Sequence, residues 1–209
     1  MVLLHPTYFP TIQSFSFLCD NEIVWEIQDN YQKQTYRNRT HICTDRGKHM
    51  LSIPIVHVGN ETGRQLYKEV QLDNSYKWQR QHWRTLETAY RTSPFFEFYE
   101  DDIKPLYESG FEKLMDFNFR TIKTICACLQ TDMPRAKTER FETNPIEISD
   151  FRFLVNAKKE MAKNNPEYIQ VFGDRHGFVP NLSILDLLFN LGPNTITYLK
   201  EISLNLKGA

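Results

Sequence analysis

The segment from residue 30 to residue 41 combines cationic and amide side chains in a stretch that alternates like a strand. If it is extended, neighbouring side chains face opposite sides, and both sides are polar. Lys33 and Arg39 could hold an anionic oxygen group, because Lys supplies a point charge and Arg a planar two-pronged fork. Asn38 would orient the bound molecule. The alternative is a solvated edge strand protected by its charges.

A second polar stretch, His5-Pro-Thr-Tyr-Phe-Pro-Thr, follows the first predicted strand. In open α/β sheets, ligands bind beyond the carboxyl ends of strands, where a helix N-terminus offers free N–H groups. Thr7, Tyr8 and Thr11 would stand at such a site, with Tyr8 stacking on a ring or donating a hydrogen bond. The alternative is that the prolines only stiffen a connection and that His5 is a hydrogen-bonded core residue.

His82 shares a helical stripe with Trp78, Leu86 and Tyr90. A single His on an apolar stripe is more often a hydrogen-bonded core residue than a catalytic one. The rival interpretation, which we carry forward as a prediction, is a general base or a donor to phosphate.

Other candidate residues have ordinary explanations. Asp186 stands three residues after Ser183, as in a capping box, and Arg175 and His176 either reach a ligand or are solvated. No pair of His residues has metal-ligand spacing, so no metal site is predicted. The sequence contains no Walker loop, no Rossmann glycine fingerprint and no G-x-S-x-G motif, and therefore indicates no particular cofactor.

The composition of the chain argues against several classes of protein. The chain has 209 residues, 25 Lys and Arg against 26 Asp and Glu, and a net charge of −1. This balance gives no strong nucleic-acid signal and no general attraction to anionic lipid. No apolar run approaches the roughly 20 residues of a membrane span. The opening Met-Val-Leu-Leu-His-Pro has no basic lead, so we expect no signal peptide and a cytoplasmic protein with reduced thiols.

Residues 1–74 are predicted to form a sheet that opens with a Rossmann-like strand–helix–strand unit, in which the two strands are parallel. A hairpin around Gly47 follows, which makes the sheet mixed. The predicted elements are strands at Val2–Leu4, Ile23–Ile27, Tyr36–Cys43, Met50–Val58 and Leu66–Leu72 and a helix at 11–19.

Residues 75–209 are predicted to be mainly helical, so that the chain forms one α/β domain of two parts. The strongest helical period runs from Phe111 to Leu129. Residues 131–150 are rich in charge and contain two prolines, which indicates a loop or linker. A later helix begins after Ser183 and ends at Gly192-Pro193, and a final short helix is predicted at 196–206.

Taken together, the motifs resemble those of the WbqC-like family of bacterial proteins over almost the whole chain. The matching stretches are Pro6-Thr-Tyr-Phe-Pro10, Tyr31-Gln-Lys33 with Asn38-Arg39, Trp78-x-x-Gln-His82 with Tyr90 and Ser93-Pro-Phe-Phe, and Tyr168-Ile-Gln-Val-Phe with the stretch from Leu182 to Gly192. The sequence departs from the family pattern at His5, where Gln is common, and at Thr11-Ile-Gln-Ser, which replaces Trp-x-Gly-Tyr. Asn156-Ala-Lys158 stands where a His-Pro-Lys-like stretch is frequent, which leaves Lys158 as a candidate substrate-binding residue.

The resemblance implies a cytoplasmic protein of surface-polysaccharide (O-antigen or capsule) biosynthesis. Aminoacyl (glycyl) transfer to an amino sugar has been suggested for some members of the family. The opening strand–helix–strand pattern is also similar to nucleotidyltransferase and class I synthetase folds, a likeness of fold alone.

The leading hypothesis is a transferase acting on a phosphate-bearing substrate, such as a nucleotide-linked amino sugar. In it, Lys33 and Arg39 hold phosphate, Asn38 orients the sugar or base, and His82 takes a proton from the attacking amine. One alternative is an RNA- or polysaccharide-binding module whose basic patch is formed by Arg37, Arg39, Arg46 and Lys48. Another is an accessory subunit of a polysaccharide assembly, in which the same residues only stabilise the fold.

Overall fold

The chain opens with the strand–helix–strand unit that the sequence predicts. The computed structural model describes residues 1–58, 64–157 and 165–207, with side chains up to residue 203. Strand β1 (Val2–Leu4) leads to helix α1 (Ile12–Asp20) and then to strand β2 (Ile23–Trp25). The strands are parallel, with Leu3 opposite Val24. Thr11 caps α1 by accepting a hydrogen bond from the backbone N–H of Ser14.

The predicted hairpin forms a sheet of its own and does not extend the parallel one. Its strands are β3 (Arg39–Thr44) and β4 (Gly47–Ser52), paired antiparallel. Gly47 follows the turn with a φ of 93°, a conformation that glycine adopts without steric cost. Strand β4 ends before Pro54, which cannot donate a ladder hydrogen bond.

The strand predicted at Leu66–Leu72 is wrong. Residues Tyr67–Glu69 form one turn of 3₁₀-helix. Among the described residues it is flanked by isolated bridges alone, which join Asn30 to Leu66, Ile55 to Leu72 and Gln71 to Lys113. The apolar residues that suggested a strand are buried by the turn, with Tyr67 and Val70 fully enclosed.

Helices follow from residue 78, as the periodicity predicts. They are α2 (Trp78–Tyr90), α3 (Phe96–Ile103), α4 (Pro105–Glu108) and α5 (Leu114–Cys128). The predicted stripe of α2 is buried along its length. Helix α5 lies within the segment that carried the strongest helical period.

The segment 131–150, predicted as a loop, supplies two short strands. These are β5 (Ala136–Lys137) and β6 (Ser149–Asp150), and both are parallel to their neighbours in the order β5-β2-β1-β6. Each of these strands has two exposed residues, which is too few to show a period in the sequence. They are recognised only by their pairing with the buried strands β1 and β2.

The chain ends with three more helices: α6 (Gly173–His176), α7 (Ile184–Leu191) and α8 (Thr195–Lys207). Ser183 caps α7 by accepting from the Leu185 N–H, and Gly192 ends α7 at a φ of 53°. Helix α1 packs against α7 and α8. One hydrophobic core includes residues of β1 and β2 and of most of the helices, so the parallel sheet packs against the helices.

Candidate functional site

Polar and charged side chains collect at the carboxyl ends of the four parallel strands. Glu26 follows β2 and is buried, and its Oε1 accepts from the hydroxyl of Thr138, which follows β5, at 2.9 Å. Its Oε2 lies 3.3 Å from Nη1 of Arg152, which follows β6. A cavity of about 370 Å³ lies here, lined in part by Glu26 and Thr138. This edge is where open α/β sheets bind ligands.

His5, which follows β1, meets Asp29 and Arg37 at this edge; we call these three residues the carboxyl-edge cluster. Arg37 Nη2 lies 2.7 Å from Asp29 Oδ2 and 2.9 Å from His5 Nε2. Burial lowers the pKa of His5 to about 4, so its ring is neutral at pH 7. Burial acts to raise the pKa of Asp29, but the hydrogen bond with His5 and the charge of Arg37 outweigh it and hold that pKa below its ordinary value. The cluster therefore contains one carboxylate and one cation, both ionised at neutral pH.

Arg37 is enclosed from the other side by an aromatic ring and an amide. Its guanidinium carbon lies 5.3 Å from the centre of the Tyr67 ring. Asn118 donates to the Arg37 carbonyl oxygen and to the Tyr67 hydroxyl, each at 2.6 Å. Tyr67 in turn donates to the Pro6 carbonyl. These bonds fix the backbone that carries Arg37 beside the end of β1.

Several polar atoms of this cluster have no hydrogen-bond partner among the described residues. They are Nε and Nη1 of Arg37 and Nδ1 of His5, together with Oδ1 of Asn118. Arg37 is fully buried and His5 nearly so. Buried polar groups are ordinarily paired, so this concentration of unpaired polar atoms makes the cluster the candidate site.

The two cations predicted from the sequence, Lys33 and Arg39, differ in their exposure. Burial raises the pKa of Tyr31 to about 12, and the charges of Arg37 and Arg39 act in the opposite direction. Arg39 is half-buried and Lys33 is exposed. Within residues 1–58, 64–157 and 165–207, neither Arg39 nor Lys33 has an ion-pair partner.

Tyr8 and His82 are brought together in the interior of the fold. The Tyr8 hydroxyl lies 3.0 Å from His82 Nδ1 and 2.7 Å from the Tyr107 hydroxyl. Burial lowers the pKa of His82 to about 4, and a hydrogen bond to the Ser52 backbone opposes the shift. His82 also borders a cavity of about 390 Å³ between the hairpin and α2. The ring is neutral at pH 7 and is hydrogen-bonded both to Tyr8 and to the backbone, while Tyr8 itself has no exposed surface.

Asn38 is buried directly before β3. Its Nδ2 donates to the Ile53 carbonyl at 2.9 Å, and its backbone carbonyl accepts from the Ile53 N–H. Its Oδ1 is buried and has no partner in the part of the chain that the structure describes. Lys158 lies outside the described residues. The roles predicted for Tyr8, Lys33, Asn38, Arg39, Lys158 and His82 in contacting substrate therefore stay predictions.

Asp186 does more than the helix capping that its spacing from Ser183 suggested, because its carboxylate is the centre of a hydrogen-bond network. Its fully buried carboxylate accepts from the hydroxyls of Tyr90 and Tyr168 at 2.8 and 2.6 Å and from Gln170 Nε2 at 3.0 Å. Burial raises the pKa of this carboxyl group, and the three hydrogen bonds oppose the shift. Asp186 thus joins α2 to α7 and to the segment before α6.

The basic patch predicted on the hairpin does not form one surface, because Arg37 is fully buried and only Arg46 and Lys48 of the four residues are exposed.

The sequence analysis did not identify Asp29, Tyr67 and Asn118 as residues of the candidate site. The one signal was the polar character of both faces of residues 30–41, which pointed to the segment but not to its partners. Since Asn118 lies on α5, no local pattern could connect it with Arg37.

The described residues contain no group of three His, Cys, Asp or Glu side chains that could hold a metal ion. None of the helices in the described ranges is long and apolar enough to cross a membrane.

The fold and the site define an α/β protein with a buried, charged cluster at the carboxyl edge of a parallel sheet. The model of the WbqC-like protein family matches residues 5–162 and 156–198. The chain belongs to that family. It is also similar to "Uncharacterized protein Rv1507c" of Mycobacterium tuberculosis, with 26% identity over 231 aligned positions that cover 96% of this chain and 97% of the relative. No solved structure matches it.

Proposed function

We propose that this protein is a cytoplasmic transferase acting on a phosphate-bearing substrate at the carboxyl edge of its parallel sheet. The observation that supports the proposal is the set of buried guanidinium nitrogens that have no hydrogen-bond partner among the described residues, Nε and Nη1 of Arg37 and Nε of Arg39. Arg37 is held by Asp29, whereas Arg39 has no carboxylate partner among the described side chains. An anion bound here would meet an uncompensated guanidinium whose fork fits two phosphate oxygens.

The proposed roles follow from the chemistry of the side chains. Arg39 and the exposed Lys33 hold the phosphate, and Lys158, which lies outside the described residues, is proposed as a further substrate-binding cation. Asn38 orients the substrate through its unpaired Oδ1. The reaction we favour is aminoacyl transfer, in particular glycyl transfer, to a nucleotide-linked amino sugar of surface-polysaccharide biosynthesis, which rests on the family resemblance.

His82 is proposed as the base that takes a proton from the attacking amine, and Tyr8 as its partner. The low pKa keeps the ring unprotonated at pH 7, as a base requires. Proton uptake at Nδ1 requires the hydrogen bond with Tyr8 to rearrange. A Tyr8→Phe variant should therefore change the pH dependence of the transfer rate, and not only its size.

Calorimetric titration with nucleotide-linked amino sugars tests the anion site. Arg39→Ala should weaken binding by about tenfold or more, since a charge-assisted hydrogen bond contributes roughly 1.5–3 kcal/mol. The matched control is Arg120→Ala, which removes an exposed cation of α5 that has no ion-pair partner in the described structure. Equal heats from wild type and Arg39→Ala would contradict the proposal.

A further inference from the structure

A second charged site lies between the β3–β4 hairpin and α2, separate from the carboxyl-edge cluster. It is a groove of about 920 Å³, which we call the hairpin groove. Cations from three elements line it: Arg46 from the hairpin turn, Lys77, Arg80 and Arg84 at α2, and Arg175 from α6. Its volume falls within the range of small-molecule sites.

The hairpin groove holds a local excess of positive charge. Its five cationic residues are accompanied by one carboxylate, Asp45, although the whole chain has a net charge of −1. Across the described ranges, none of the five side chains forms an ion pair. By contrast, Arg91, directly after α2, binds both Glu87 and Glu100. Like charges brought together without carboxylates repel one another, and a bound anion would relieve that repulsion.

The arrangement fits a short chain of phosphates. Lys77 precedes α2 and Arg84 lies seven residues later, so their backbones are separated by roughly 10 Å along the helix axis at about 1.5 Å per residue. Arg80 stands between them, and Arg46 faces α2 from the hairpin turn. Cations spread over this length match two or three linked phosphates better than a single one.

The hairpin groove also contains one aromatic ring. Phe172 is half-buried and lines the groove together with Ala89 and the exposed Arg175. A single ring offers a stacking surface for one base. The near-neutral net charge provides no general attraction that would hold a polynucleotide beyond the groove.

We propose that the hairpin groove binds a nucleoside di- or triphosphate, with the phosphates among Arg46, Arg80 and Arg84 and the base against Phe172. The inference is independent of the proposed function, because it uses none of the residues at the carboxyl edge.

Calorimetry with ATP, ADP, AMP and inorganic tripolyphosphate at fixed ionic strength tests it. ATP and ADP should bind more tightly than AMP. The double variant Arg80→Ala/Arg84→Ala should weaken ATP binding by about tenfold or more, because two charge-assisted contacts are lost. Phe172→Ala should weaken ATP binding while leaving tripolyphosphate binding unchanged.

The control is Arg120→Ala/Lys123→Ala, which removes two exposed cations from α5 and the same total charge. An equal loss of ATP affinity in both double variants, or no loss in either, would overturn the proposal. Tighter, steeply salt-dependent binding of a single-stranded oligonucleotide would overturn it in favour of a polymer site. Loss of ATP binding in Arg39→Ala alone would assign the nucleotide to the carboxyl edge, which rejects the hairpin groove and supports the proposed function.

Discussion

Arg37 Nη2 lies 2.7 Å from Asp29 Oδ2. The guanidinium in this ion pair is fully buried, whereas many other cations of the described residues are exposed. The pair ties the segment before β3 to the loop after β2 and places both beside His5. Burial lowers the pKa of Arg37, and Asp29 and the Tyr67 ring counteract the shift. The fold therefore depends on a charged contact at the edge where a ligand would bind.

Arg37→Ala is expected to destabilise the protein by about 3–5 kcal/mol, because breaking a buried ion pair leaves an uncompensated charge. The Asp29 carboxylate would lose its cation, and the Tyr67 ring would lose the guanidinium that packs against it. Denaturant unfolding followed by circular dichroism measures the change as a shift in midpoint at constant slope.

Arg140→Ala provides the comparison, since it also removes one arginine and one ion pair, with Glu142. The Arg140 side chain is 83% exposed, so the loss should stay within about 1 kcal/mol. Similar small losses in both variants would mean that Arg37 does not hold the site together.

The sequence predicted elements with a regular period and missed those without one. The α2 stripe recurs every four residues, so the burial of His82 could be foreseen, but its partner Tyr8 lies 74 positions away and only the fold brings the two together. Strand β5 has two residues, too few for any period.

Arg37 shows why the site itself was harder to predict. Strict alternation placed it on the same face as Arg39, but β3 begins only at Arg39, so the alternation does not extend to Arg37. Its burial is set by Asp29 and by Asn118 of α5, which no local pattern links to it. Short-range patterns therefore located the polar segment, whereas its electrostatic partners depended on tertiary contacts.

Asp186→Ala is expected to cost about 2–6 kcal/mol, because the hydroxyls of Tyr90 and Tyr168 lose their acceptor and each unsatisfied group costs roughly 1–3 kcal/mol. The amide of Gln170 also loses Asp186 but still donates to the Val179 carbonyl. The control Asp174→Ala removes an exposed carboxylate from α6 and should leave the unfolding midpoint nearly unchanged. If the two variants unfold alike in denaturant, the Asp186 network contributes nothing to stability.

Gly192→Ala is expected to destabilise the fold for two reasons that add. A β-carbon on Gly192 would lie 2.5 Å from Cδ1 of Phe95, and the residue has a φ of 53°. The left-handed conformation costs roughly 1–2 kcal/mol for a non-glycine residue, and crowding in a packed region typically costs a further 1–3 kcal/mol. Gly110→Ala is the matched change, because a β-carbon there meets nothing within 4 Å. Thermal unfolding should show a lower Tm for Gly192→Ala alone, and equal Tm values would refute the clash.

The stability of the protein should fall as the pH decreases from about 6.5 toward 4. Burial lowers the pKa of both His5 and His82 from 6.5 to about 4. In this window the unfolded chain binds protons that the folded chain does not, so acid favours unfolding by up to about 1.4 kcal/mol per pH unit for each histidine. Above pH 6.5 both states are neutral at these positions, and this dependence disappears.

His82→Gln separates the contribution of one ring. The amide keeps hydrogen-bonding capacity near Tyr8 but takes up no proton, so the slope of unfolding free energy against pH should fall by up to about 1.4 kcal/mol per unit between pH 6 and pH 4.5. His57→Gln, at an exposed histidine, serves as the control and should keep the wild-type slope. Urea unfolding at several pH values measures both slopes. A His82→Gln slope equal to that of the wild type would mean that His82 takes up its proton over the same pH range in the folded and the unfolded protein, which would contradict the lowering of its pKa by burial.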